Sequence, residues 1–288
     1  MNKISQAELA QKIVNGEDVS LIDYSHITDM SHMFKGHTLI ETIPYFDTSH
    51  VTNMRHMFSY LKNIKTIPLL NTSKVTDMEG MFYNCSSLET IPLLDTANVT
   101  TFLDIFSSCR SLISIPKLNT SNATNMESFF YGCGVLIEIP LLDTSKVTNM
   151  HGIFSRCTNL TSIPNINTKN VVDMSHMFSN CISITLIPLL NISNVNNMSC
   201  MFLRCEKLNT IPEEWTIRKD IDIYLLTLKP EDFIKLLSHK QILKILIDHS
   251  LIDLFILKAH NKQDKDMSSL IEKSVSTLFQ KFEELSPF

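Results

Sequence analysis

Eight phenylalanines stand 24 residues apart: Phe34, Phe58, Phe82, Phe106, Phe130, Phe154, Phe178 and Phe202. Eight prolines keep the same step, from Pro44, Pro68 and Pro92 through Pro116, Pro140, Pro164 and Pro188 to Pro212. No insertion breaks the register. A fixed period of this length marks a solenoid, whose repeats bury their apolar sides only by stacking on their neighbours. Such a chain presents a long, regular surface, which suits binding better than catalysis.

The columns of the repeat divide into inside and outside. Those that contain Ile64 and Leu88, Ile67 and Ile91, and Leu70 and Leu94 are expected to point inward, as are Val51 and Met54 with their counterparts down to Val195 and Met198. Methionine suits the uneven gaps there. The segment M-x-x-M-F has the spacing of a single helical or 3₁₀ turn. Before it lies an Asx-Thr-Ser bend at Asp47, Asn71, Asp95, Asn119, Asp143, Asn167 and Asn191, where short polar side chains bond the backbone. A calcium-binding turn array needs several carboxylates and glycines per turn, and this bend has one acid in alternate repeats.

Six of the seven cysteines, from Cys85 to Cys205, sit three residues after a repeat phenylalanine. They are expected to be buried, reduced thiols, which behave as small hydrophobes. His32 and His56 are expected about 5 Å apart on adjacent coils, but the sequence has no third ligand column for a metal. No P-loop, G-x-S-x-G, H-E-x-x-H or G-x-G-x-x-G motif is present, so neither an enzyme nor a cofactor is expected.

The repeat C-x-x-L-x-x-I-P-x-L-(D/N)-T-S-x-V-T-x-M-x-x-M-F resembles the BspA-like bacterial leucine-rich repeats, and the resemblance runs over residues 21–212. It implies an α/β repeat solenoid, a right-handed superhelix of 24-residue repeats with parallel β-structure. It also implies a surface or interaction protein.

Three regions are expected: an N-terminal helical cap at 1–20, the solenoid of eight repeats at 21–215, and a helical C-terminal domain at 216–288. Ser5 and Glu8 fit a capping box at the start of a helix over residues 4–15, and Asn15-Gly16 stops it. Trp215, the single tryptophan, is expected to plug the last coil. Beyond it the repeat gives way to helical periodicity near 230–238, 240–259 and 267–284. In the second of these, 11 of the 16 residues from Ile242 to Leu257 are apolar. Helix 242–257 is therefore central to its domain or the interface of a homodimer. Four charged or histidine residues interrupt it, so no membrane insertion is expected.

The net charge of −5 lies in the repeats: residues 1–215 carry 14 basic against 19 acidic residues, and 216–288 carry 11 of each. Neither is a nucleic-acid footprint. The N-terminal twenty residues contain no apolar core of a secretory signal. A cytoplasmic location, or delivery by a signal-independent route, is expected.

One outward column carries the functional reading. The residue between the proline and the next inward side chain is Tyr45, Leu69, Leu93, Lys117, Leu141, Asn165, Leu189 and Glu213 in successive repeats. Strand alternation points it outward, whereas a bend at I-P-x-L turns it inward. If outward, Tyr45, Leu69, Leu93, Leu141 and Leu189 form an apolar stripe for a partner protein, with Glu41, Lys65 and Glu89 as its rim. The favoured function is a non-catalytic protein-interaction module. Alternatives are an effector or toxin with its activity in 216–288, and an immunity-type inhibitor of a cognate toxin.

Overall fold

The computed structural model describes residues 3–208, which lie in the first of the chain's two units, Met1–Asn209. Trp215, Glu213 and the helices expected beyond residue 216 lie outside the described residues.

The chain opens with α1, Gln6–Val14. Ser5 caps it, accepting from the Glu8 N–H, while the Glu8 carboxylate accepts the Ser5 N–H at 2.8 Å. This is the reciprocal box that the sequence spells. Leu9, Ala10 and Ile13 make the buried face of α1. The Gln6 side-chain amide donates to the Ser31 carbonyl at 2.8 Å, which ties α1 to the first coil.

From there the chain winds in 24-residue coils. The segment from Met54 to Leu61 is neither a helical turn nor a strand, and this corrects the expectation from M-x-x-M-F. It is a run of tight turns closed by alternate N–H groups: Met57 donates to the Met54 carbonyl, Ser59 to His56 and Leu61 to Phe58. The N–H groups between them point out of the coil. Met54 donates to Asp77 at 2.9 Å, His56 to Glu79 at 2.8 Å, Phe58 to Met81 at 3.0 Å and Tyr60 to Tyr83 at 2.8 Å. Each donor thus reaches the carbonyl 23 residues further on. The same four-rung ladder recurs from Met30–Gly36 to Met174–Asn180, except between Gly80 and Asn84, where three rungs cross to the next coil.

Two columns in each coil adopt positive φ to make this possible. One contains His32, His56, Gly80, Asp104, Ser128, Gly152, His176 and Cys200; the other contains Gly36, Tyr60, Asn84, Ser108, Gly132, Arg156, Asn180 and Arg204. Most are not glycine, although left-handed backbone costs about 1–2 kcal/mol for other residues. The ladder on both sides over-determines the conformation, which is how such strain persists. It also explains why parallel pairing is reduced to isolated bridges, such as Asp29 with Asn53 and Asn53 with Asp77. Among the described residues no strand forms, and α1 is the one helix.

Side chains close the core. The repeat phenylalanines stack face to face, with ring centroids 5.7 Å apart for Phe58 and Phe82 and 5.5 Å for Phe82 and Phe106. The column is unbroken from Phe34 to Phe202, and every ring in it is buried. The isoleucine, leucine, valine and methionine columns are buried beside it, as expected, although Leu208 at the end is half-buried. Cys85, Cys109, Cys133, Cys157, Cys181 and Cys205 are free and buried. Each thiol donates to the carbonyl of the phenylalanine in the preceding coil, as Cys85 does to Phe58 at 3.0 Å. Burial pushes the Cys85 and Cys181 thiols up to about 12. At neutral pH they are therefore thiols and not nucleophilic thiolates.

The bends follow the expected chemistry. The Asp47, Asn71, Asn119 and Asp143 side chains accept the N–H two residues on. At Asp47, Asn119 and Asp143 a bond to the next coil comes from the buried threonine that follows, as when the Thr48 hydroxyl donates to the Asn71 carbonyl at 2.9 Å.

Three measurements test this architecture. Phe106→Ala is expected to cost about 3–5 kcal/mol in chemical denaturation, as a cavity in a fully buried stack; a neutral result means the column is not core. Ser128→Val, at φ 54°, is expected to cost about 1–2 kcal/mol while Ser128→Gly is tolerated. Mass spectrometry of native, unreduced protein treated with iodoacetamide should find Cys85, Cys109, Cys133, Cys157, Cys181 and Cys205 neither paired nor alkylated, and Cys200 open to the reagent. Disulfides between coils would refute the reading.

Candidate interaction surface

The side of the coil opposite the ladder is built differently. Proline lacks an N–H, so this segment cannot carry a continuous ladder. Backbone bonds cross it only here and there, as from Glu89 to the Lys65 carbonyl at 2.9 Å and from Ile113 to Glu89 at 3.0 Å. Within the segment, Ile67 and Leu70 are buried and Leu69 between them is exposed. The inward pair holds the backbone against the core, and the residue before Leu70 has nowhere to go but out.

All five stripe residues stand in solvent: Tyr45 is 70% exposed, Leu69 63%, Leu93 63%, Leu141 53% and Leu189 61%. The bend at I-P-x-L does not turn them inward. Exposure of one large apolar side chain is ordinary; five in one column make a surface feature. Lys117 and Asn165, also exposed, interrupt the column at its fourth and sixth coils.

A shallow groove of about 650 Å³ runs beside the stripe. Its apolar wall is Tyr45, Leu69 and Leu93; its polar wall is the bend at Asn71–Ser73, Asp95 and Asn119. Along the other border Lys65 and Glu89 form an ion pair at 3.1 Å. At the next two coils this border turns apolar, with Ile113 and Ile137 each 57% exposed. Only the charged part of this rim was expected. The two isoleucines were legible as a break in the column Glu41, Lys65, Glu89.

A second row also escaped sequence reading. Asp29, Asn53, Asp77, Asn125, Asn149, Asp173 and Asn197 occupy the position written as x in V-T-x-M. Each accepts the N–H two residues on, as Asn53 does from Arg55 at 2.9 Å. They start each run of turns, and seven acids or amides in one column was the available signal.

The histidine face offers no comparable site. His32 and His56 stack with ring centroids 5.3 Å apart, close to the expected spacing. The His56 ring lies over Gly80, where a Cβ would approach it to 2.2 Å. Burial, then the His32 ring beside it, hold the His56 imidazole below its usual range. Among the described residues no three His, Cys, Asp or Glu side chains come together to hold a metal. No described helix is long and apolar enough to cross a membrane.

Known proteins place the chain. It is similar in structure to the leucine-rich repeat protein TpLRR of T. pallidum, at 20% identity and a TM-score of 0.44, over 57% of this chain and 74% of that one. It is similar also to a leucine-rich repeat protein of Eubacterium ventriosum, at 25% identity and a TM-score of 0.44, over 59% of this chain and 44% of that one. A third, from Bacteroides ovatus, has 20% identity and a TM-score of 0.28, over 63% of this chain and 62% of that one. No curated protein sequence matches. The model of the mycoplasma proteins of unknown function called DUF285 matches residues 2–112, 61–139 and 135–238, and the chain belongs to that family.

Proposed function

We propose that this protein is a non-catalytic binding module whose solenoid holds a partner protein along the stripe of Tyr45, Leu69, Leu93, Leu141 and Leu189. The observation that carries the reading is the exposure of all five side chains, each more than half in solvent, on a rigid stack. Interfaces draw most of their energy from a few apolar anchors within a polar surround. Here the anchors are fixed by the buried residues on either side of them, so little ordering entropy opposes binding. The Lys65–Glu89 pair and the bend residues supply the polar rim. The acidic balance of the repeats speaks for protein over nucleic acid as the partner.

The test is a double substitution, Leu69→Asp with Leu93→Asp. Both positions are exposed, so the thermal midpoint should stay within a few degrees of wild type. Partners retained by immobilised wild-type protein from a lysate of the source cells should be lost with the variant. A folded variant that retains the same partners would remove the stripe from consideration.

A further inference from the structure

We infer that the stacked imidazoles of His32 and His56 form an acid-sensitive latch at the N-terminal end of the solenoid, holding the first coils together as neutral rings and letting them part when protonated.

The geometry leaves no room for a second proton at His56. The two rings stand on consecutive coils, 5.3 Å apart between centroids and 22° from parallel. Below them the His56 ring covers Gly80, the position of its own column that has no side chain. It also meets the Tyr83 ring edge-on at 6.2 Å. Its Nδ1 is buried and has no hydrogen-bond partner. A neutral imidazole carries one N–H and leaves the other nitrogen bare, whereas an imidazolium carries an N–H on both. The added N–H would be buried without an acceptor, and an unpaired buried donor is costly.

The charges around the pair act in the same direction. Besides the His32 ring, the Lys35 ammonium and the Arg55 guanidinium face His56. The Glu79 carboxylate of the next coil is taken up by Arg55. The Gly80 backbone favours the charged ring, but more weakly than any of these, and makes no hydrogen bond to Nδ1. The Asp29 carboxylate faces His32 instead. In acid His32 therefore has a counter-charge and His56 has none, and each proton on His32 opposes one on His56. A histidine held low in the folded state binds fewer protons there than in the unfolded chain. Stability is then full above about pH 6.5, the value of a free histidine, and is lost as the pH falls from there toward the folded value.

Position turns this into local opening. The backbone bonds beside the rings are rungs of the ladder, from His32 to the Arg55 carbonyl at 2.9 Å and from His56 to Glu79 at 2.8 Å. They belong to the end of the stack, where a coil has a neighbouring coil on one side only, and repeat arrays open from such ends. The other histidine pair, His151 and His176, is built differently. Its rings meet edge-on at 5.5 Å, and a His151 ring nitrogen lies 2.7 Å from the Ser175 hydroxyl. Burial and His151 hold the His176 imidazole low as well, but the Asp173 carboxylate opposes them. That pair also lies further from the end.

Hydrogen exchange of the full chain, read by mass spectrometry and corrected for the intrinsic rate, tests the latch between about pH 7.5 and about pH 5.5, on either side of free histidine. Peptides within residues 30–61 should lose protection at the lower pH, while those within 102–156 keep it. The double variant His32→Asn with His56→Asn should show equal protection at both values, since asparagine accepts the left-handed backbone of this column. His32→Asn alone should move the loss to lower pH. If the double variant does not fold, the ring spectra of wild type decide: the His56 imidazole should titrate below free histidine, and higher in His32→Asn than in wild type. Protection that is unchanged in acid, or lost equally over all coils, overturns the inference. So does a double variant that opens as wild type does, or a His56 ring that titrates at or above free histidine.

Discussion

The backbone bond from an N–H to the carbonyl 23 residues further on governs everything else in this solenoid. Four such bonds cross between adjacent coils, from Met54, His56, Phe58 and Tyr60 in one case. A buried backbone group without a partner is costly, and here the partner always belongs to another coil. Each coil is therefore stable only as a template for the next, the nearest-neighbour energetics of repeat proteins. The strict 24-residue step follows. One extra residue would move the donors off their acceptors and push a phenylalanine out of its stack.

The ladder also accounts for the unusual backbone. A strand would satisfy the same donors, but it would run straight, and this side of the coil must turn. The tight turns let alternate N–H groups close the bend while the others reach the next coil. The two positive-φ columns are the consequence, and small or flexible residues such as Gly80, Asn84, Ser108 and Ser128 recur there. The acid and amide row from Asp29 to Asn197 starts each turn run by taking an N–H that the ladder leaves over.

The proline side of the coil is the complement of this arrangement. Proline at each coil removes a donor, so the segment from Lys65 to Leu70 is held mainly by the inward Ile67 and Leu70. That leaves the residue between them free to vary without cost to the fold. Tyr45, Leu69, Leu93, Lys117, Leu141, Asn165 and Leu189 occupy one geometric position with five apolar and two polar side chains. The buried columns tolerate no such change. Outward variation on an inward-fixed frame is what lets a repeat protein carry a specific surface.

The solenoid, the phenylalanine stack, the buried thiols, the capped helix at Ser5 and the inward columns were all legible in the linear chain. Each follows from periodicity or from local hydrogen-bond chemistry, which a linear chain displays directly. That M-x-x-M-F is a run of turns and not a helix became visible only with the coils stacked. Spacing at 3 and 4 residues is common to both, and the choice was made by donors and acceptors 23 residues apart. The direction of Leu69 was open for the same reason: a leucine beside a proline reads equally as core or surface. The burial of Ile67 and Leu70 against the neighbouring coils settled it, a constraint that exists only once the coils are stacked.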